Sequence, residues 1–242
     1  MPFLALCYHR ISSSAAADPL AVTPEQLRAH LQALTRRGLA GVSLGAAWAA
    51  ERSRSGSRHI ALTFDDGTAD FAETAWPLLR AHGCTATLAV VTSRVGRPAD
   101  WDGPRGAPLL DWPALRALAA EGVEVIAHAH THRPLDTLAP AEALADLRAA
   151  RHALDDNLGA AAGAGLAYPY GRVSPALAQA AQQAGYAWAA TARGGRNTTA
   201  TPAHRLRRTL MHGRDGALRF GLKLWLGYAA LIEWRMDVRG LP

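Results

Sequence analysis

Apolar and polar positions change their period repeatedly along the chain, and the changes predict alternating strands and helices. Residues 3–8, FLALCY, are a continuous apolar run of strand length. A helix then opens at Thr23, which suits the N-cap. Pro24 fits the first turn, and Gln26 completes a capping box. Leu27, Leu31 and Leu34 continue on one face, and Gly38 ends it. The polar, Ser/Gly-rich stretch 52–58 reads as a surface loop. Further apolar runs predict strands at 59–64, 85–91, 123–127, 166–168, 186–190 and 206–210. Helical spacing predicts helices over about 69–82, from Asp111 to the stop at Gly122, and over 140–158, 175–184 and 215–233. Residues 94–108, rich in Gly and Pro, read as a long loop, and 159–165 as a small-residue linker.

Strand–helix alternation along the whole chain predicts an α/β domain with a parallel sheet, open or closed into a barrel. In such folds chemistry gathers at the C-terminal ends of the strands. Three polar clusters fall at such ends: Asp65-Asp66, the run His128-Ala129-His130-Thr131-His132, and Tyr168-Pro169-Tyr170-Gly171.

Composition narrows the class. With 242 residues, 49% of them hydrophobic and 19% charged, one domain with a sizeable core is expected. The net charge of +6 rests almost wholly on arginine, since Lys223 is the single lysine. The arginines are scattered. No helix-turn-helix, zinc finger or basic run interleaved with aromatics is present, so nucleic acid is not an expected partner. Cys7 and Cys84 sit in apolar runs and behave as small hydrophobes, too few for a disulfide framework. The opening MPFLAL has no basic stretch and no cleavage-site pattern, and no run reaches the length of a membrane span. A cytoplasmic location is therefore expected.

Two adjacent carboxylates after an apolar strand are costly unless their charge is used. A divalent cation can hold one and favour the ionised form of the other. The bland alternative is an Asp-Asp-Gly turn that caps a helix. His128 and His132 are four apart; on a helical turn that spacing puts both imidazoles on one face, with His130 pointing elsewhere. One carboxylate with two imidazoles leaves coordination positions open, which suits a catalytic rather than a structural metal. A phosphatase of the haloacid dehalogenase type is excluded, because Phe64 stands where its nucleophilic Asp would be.

Thr63-Phe64-Asp65-Asp66-Gly67 matches the TFDDG motif of the polysaccharide deacetylase family (NodB homology, carbohydrate esterase family 4), and His128 and His132 match the spacing of its H-[ST]-x-x-H motif. Tyr168-Pro169-Tyr170-Gly171 resembles the R-x-P-Y motif. Cys7-Tyr8-His9-Arg10-Ile11 resembles the start of a circularly rearranged branch that includes deacetylases of poly-N-acetylglucosamine. The resemblance spans roughly residues 3–210. It implies a single-domain distorted (β/α) barrel of about seven strands over 1–213; beyond it the residue pattern predicts a C-terminal amphipathic helix in 214–242. It implies a divalent metal on Asp66, His128 and His132: zinc first, with cobalt, nickel or manganese as alternatives. It gives Asp65 the part of general base, the backbone of Tyr170 that of an oxyanion donor, and His9 that of general acid. His212 is the second choice of acid, and Tyr168, Pro169 and His212 are expected to line the substrate site.

Two departures stand out. Ala129 replaces the motif's hydroxyl residue, and Ala167 stands where an Arg often orients the catalytic Asp; Arg207 or Arg208 could substitute. The expected substrate is an N-acylated sugar in a polysaccharide, oligosaccharide or lipid-linked saccharide. Alternatives are a deformylase acting on a lipid-linked sugar and an inactive carbohydrate-binding relative. Leu218, Phe220, Leu222, Leu224, Trp225, Tyr228 and Trp234, interrupted by arginines, read as a helix packed on the barrel or as a peripheral membrane or dimer face over 214–242. The membrane reading would put the protein at the inner face of the membrane.

Overall fold

A computed structural model describes residues 2–13, 18–55, 58–101, 106–159 and 162–226. The elements are, in order, β1 (Phe3–Tyr8), β2 (Arg10–Ile11), β3 (Ala21–Val22), α1 (Pro24–Arg36), β4 (Ala40–Val42), α2 (Leu44–Arg52), β5 (His59–Phe64), α3 (Trp76–Ala81), β6 (Thr87–Val90), α4 (Trp112–Ala120), β7 (Glu124–Ala127), α5 (Pro140–Leu158), β8 (Gly165–Ala167), α6 (Pro175–Gln183), β9 (Trp188–Ala190), β10 (Arg196–Asn197), β11 (Thr209–Leu210) and α7 (Ala217–Leu226).

The main sheet runs β10-β1-β5-β6-β7-β8-β9, parallel except for β10. The segment 206–210 joins its two margins. Leu206 bridges Ala190 of β9, and Thr209–Leu210 pair with Leu6 and Cys7 of β1. The sheet therefore curls into a distorted barrel, and the predicted strand at 206–210 is split into these two pieces. Strand alternation sorts side chains between two cores. Phe3, Ala5, Ala61, Ala89, Ile126, Ala167, Ala190 and Leu206 pack together with Leu44 and Trp48 of α2 as the inner set. Leu4, Leu6, Tyr8, Ile60, Leu62, Phe64, Leu88, Val90, Val125 and Leu166 pack outward under the helices. The next inward positions along these strands, at the C-terminal rim, are polar and buried: Thr63 and Asp65 after Ala61, and His128 after Ile126.

Thr23 caps α1 with the expected capping box to Gln26. The sequence pattern offered nothing for 40–52, where β4 and α2 form. Their residues are mostly Ala and Gly, which give little contrast between faces. Gly41 is required there: a Cβ would lie 2.7 Å from Cys84 Sγ and from Leu62 Cδ1. The expected helix at 69–82 begins as a π-turn at Phe71–Ala75 before α3. α7 packs on α1, with Phe220 stacked on His30 at 3.9 Å between centroids and Leu224 buried. Its other face leaves Leu218 and Trp225 each 79% exposed. The rest of the expected 214–242 element, from residue 227 on, lies outside the described residues. Among the described residues no helix is long and apolar enough to cross a membrane.

Candidate metal centre

β5 delivers the two aspartates. Asp65 keeps the inward alternation of Ala61 and Thr63, and its N–H donates to the Tyr8 carbonyl at 2.9 Å. Asp66 then leaves the strand in the left-handed region, φ 74°, followed by Gly67 at φ 76°. β7 delivers His128, whose N–H donates to the Val90 carbonyl at 2.8 Å. The chain returns His132 beside it without a helical turn, through a loop with left-handed residues at Ala129 (φ 62°) and His132 (φ 60°). The spacing of four therefore works by backbone strain, not by the helical periodicity expected from sequence. Of the five non-glycine residues with positive φ among the described residues, Asp66, Ala129, His132 and Tyr170 all lie in this region. Such strain persists only where the surroundings over-determine it, as at ligand sites.

Asp66 Oδ1 lies 3.6 Å from His128 Nε2 and 3.4 Å from His132 Nε2. For ligands bonded at about 2.1 Å the edge of a tetrahedron is roughly 3.4 Å; the two edges at Asp66 match that for an ion such as zinc, and all three donors lie within 4.8 Å of one another. His128 Nδ1 meets the Ala167 carbonyl at 2.8 Å. A carbonyl only accepts, so Nδ1 carries the hydrogen and Nε2 is left with its lone pair outward. Burial, above all, pushes His128 down to about 4 and keeps it neutral, the form a metal needs. Burial alone would raise the Asp66 carboxyl, but the hydrogen bond from His132 and the nearby histidines lower it, so it is ionised. Trp101 and Tyr170 flank the His132 ring at 4.1 and 5.0 Å between centroids.

Asp65 sits in a different setting. Arg208, 1% exposed, donates Nη1 to Oδ1 at 2.6 Å and Nη2 to Oδ2 at 2.8 Å, and Nη1 also reaches Thr63 Oγ1 at 3.2 Å. Its Nε donates to the Thr191 carbonyl at 3.0 Å. Burial would raise the Asp65 carboxyl; Arg208, with His128 and His9, more than offsets it and holds it well below the usual carboxylate range. Arg208, one of the two arginines expected to replace the missing Arg at Ala167, thus grips Asp65. Arg207 instead lies against Gly195. Cys7 and His9 join Asp65 in a second cluster whose possible donor atoms lie within 4.8 Å of one another. That cluster is a poor cation site, because the guanidinium already occupies both Asp65 oxygens. Burial also pushes the Cys7 thiol far up, so it stays protonated. The Nδ1 atoms of His9 and His132 are buried without a hydrogen-bond partner among the described residues.

Other expected site residues lie elsewhere. Tyr168 is fully buried in the outer core and donates its OH to the His204 carbonyl at 3.1 Å, so its side chain offers no surface to a ligand; Pro169 is also buried. His212 pairs with the Pro19 carbonyl at 3.2 Å and takes Asp215 at its N–H, outside the cluster. Tyr170 does stand at the rim, half-exposed. His130 points away, its Nδ1 against Thr92 Oγ1 at 2.9 Å. Sequence reasoning missed Trp101 and Asp146. An aromatic stranded in a Gly/Pro-rich loop and an acid on the apolar stripe of a helix were the available signals.

The family model described as Polysaccharide deacetylase matches residues 52–189. YxkH of Bacillus subtilis (strain 168), which carries a polysaccharide deacetylase name, is 25% identical over 183 residues. The match covers 75% of this chain and 61% of YxkH, so the chain spans about three fifths of that relative. Two solved structures share the fold. Streptococcus pyogenes deacetylase PplD in complex with acetate superposes with a TM-score of 0.80 at 22% identity, over 93% of this chain and 98% of that one. IcaB from Ammonifex degensii gives 0.78 at 21% identity, over 94% and 97%.

Proposed function

The chain belongs to the polysaccharide deacetylase family, and from that premise we infer that it is a metal-dependent hydrolase removing N-acetyl groups from an amino sugar. The observation that carries this reading is the convergence of Asp66 Oδ1 with two imidazole Nε2 atoms beside an arginine-held Asp65. A divalent cation there, zinc or else cobalt, nickel or manganese, would supply a Lewis acid that polarises the amide carbonyl and acidifies a water. Asp66, His128 and His132 would hold it.

The chain's own groups do the rest. Asp65 accepts a proton from the attacking water, and Arg208 keeps its carboxylate ionised and aimed. The backbone N–H of Tyr170 donates to the oxygen that gains charge. His9, at the end of β1 and close to Asp65, gives a proton to the departing amine. Acetate and a free amino sugar result. Trp101 and Tyr170, both packed against the His132 ring, offer aromatic surface that suits a sugar ring better than the buried Tyr168 and Pro169. The outward face of α7, with Leu218, Leu222 and Trp225, is the basis for a peripheral contact with a membrane and hence for a lipid-linked saccharide as substrate.

The test is metal analysis of the purified protein together with a release screen over N-acylated sugars, oligosaccharides and lipid-linked saccharides. Acetate release is expected. Formate in its place would turn the reading to a deformylase, and neither product with any metal would leave a binding protein.

A further inference from the structure

We propose that Asp146 is a positioning residue for the two histidine ligands: its carboxylate holds the loop between them in the strained path that aims both Nε2 atoms at Asp66. This rests on the reading of Asp66, His128 and His132 as the metal site.

Asp146 stands on the buried face of α5, in line with Ala143, Leu147, Ala150 and Leu154. A carboxylate on an apolar face must be satisfied by what lies opposite. What lies opposite is the loop after β7. The His130 N–H donates to Asp146 Oδ1 at 2.7 Å, and Thr131 Oγ1 donates to Oδ2 at 2.5 Å. The loop's other side is held by the turn after β6. The N–H groups of Thr92 and Ser93 donate to the carbonyls of Ala129 and His130 at 3.3 and 3.0 Å. Ala129 and His132, the residues on either side of the grip, are the two with positive φ.

An L-residue leaves the left-handed region unless its neighbours forbid it. The turn after β6 holds the loop's carbonyls; among the described residues only Asp146 binds its N–H and hydroxyl from the helical layer. Ala129 adds no hydroxyl of its own to this loop. Without Asp146, the His130 N–H and Thr131 hydroxyl lose their acceptor and the path from Ala129 to His132 is free to relax. His132 Nε2 then leaves its 3.4 Å separation from Asp66 Oδ1.

Asp146→Asn keeps the size but removes one acceptor, and Thr131→Val removes one donor with the carboxylate intact. Leu147→Ala, buried on the same helix and with no side-chain hydrogen bond to offer the loop, is the control for lost packing. Zinc affinity would be read by chelator competition, geometry by the visible absorption of the cobalt-substituted protein, and folding by the thermal midpoint. Asp146→Asn should bind zinc about 10-fold to 100-fold more weakly and alter the cobalt spectrum. Thr131→Val should shift both in the same direction by less. Leu147→Ala should lower the midpoint while keeping zinc affinity within about twofold of the parent, as a change that leaves the ligands and their hydrogen-bond partners untouched. Parental affinity and spectrum in both Asp146→Asn and Thr131→Val would overturn the proposal. Asp66→Ala separates the two levels. If it abolishes zinc binding while Asp146→Asn binds as the parent does, the positioning role alone fails. If Asp66→Ala also binds as the parent does, the metal site and the proposal fail together.

Discussion

Arg208 and Asp65, 143 residues apart in sequence, form a two-bond ion pair at the rim of the barrel, with separations of 2.6 and 2.8 Å. Neither side chain is more than marginally exposed. Removing one partner strands the other as an uncompensated buried charge, which costs about 3–5 kcal/mol. Arg208→Met should lower stability by that order, and adding Asp65→Asn should recover part of it. Denaturant unfolding of the two single variants and the double variant measures this. A cost for Arg208→Met no greater than that of the exposed Arg133→Met would show that the pair holds nothing.

His9 and His212 predict different outcomes as proton donors. Loss of a positioned acid costs about 10²–10⁴-fold in rate. His9→Gln should lose turnover in that range with metal content unchanged. His212→Ala, whose partners are Pro19 and Asp215, should keep activity within about threefold, because no proton transfer passes through it. Steady-state kinetics at saturating metal decides the matter, and equal losses in both variants would remove His9 from its role.

Acid should weaken the fold through His30. Burial, chiefly, pushes this residue down to about 4 from an ordinary 6.5, between Tyr8 and Phe220. Between those values the unfolded chain takes up a proton that the folded one refuses. Stability is therefore full above about pH 6.5 and falls as pH drops toward 4, by up to about 3 kcal/mol from this group. His30→Gln should flatten that decline in the metal-free protein. Unfolding midpoints between pH 4 and 7.5 for parent and variant provide the check, and parallel curves would contradict it.

Gly171 follows Tyr170 at φ 65°, and a Cβ there would sit 2.2 Å from the Ala192 Cβ. Gly171→Ala combines a left-handed strain with a backbone-level clash. It should cost at least about 2 kcal/mol and raise KM by displacing Tyr170 from the rim. Chemical denaturation and KM measurement on the same preparation test both parts.

Much of this site could be read from the sequence because its chemistry lies in short runs at strand ends. Asp65-Asp66 and His128 through His132 each follow a strand that the apolar pattern marks, and parallel strands bring those ends to one rim. The alternation also separates Asp65, which faces inward like Thr63, from Asp66, which turns out of the strand. Arg208 was visible only as one of two adjacent arginines, since its partner is distant in sequence and it lies between the Leu206 bridge and β11, where no alternation shows which side faces in. Asp146 and Trp101 belong to elements whose relation to the histidine loop arises from packing. β4 and α2 are built of residues too small to mark a face. The spacing of His128 and His132 does bring both imidazoles to Asp66, but the backbone achieves it by two left-handed residues, which no periodicity encodes.

In the proposed mechanism Asp65 and Asp66 carry opposite duties, and one paired measurement tests this. Bound metal and turnover would be measured for Asp65→Asn and Asp66→Ala at saturating zinc. The account predicts that Asp65→Asn keeps a full equivalent of metal and loses turnover by about 10²-fold or more, while Asp66→Ala loses the metal itself. Near-parental turnover in Asp65→Asn, or a full metal complement in Asp66→Ala, would contradict it.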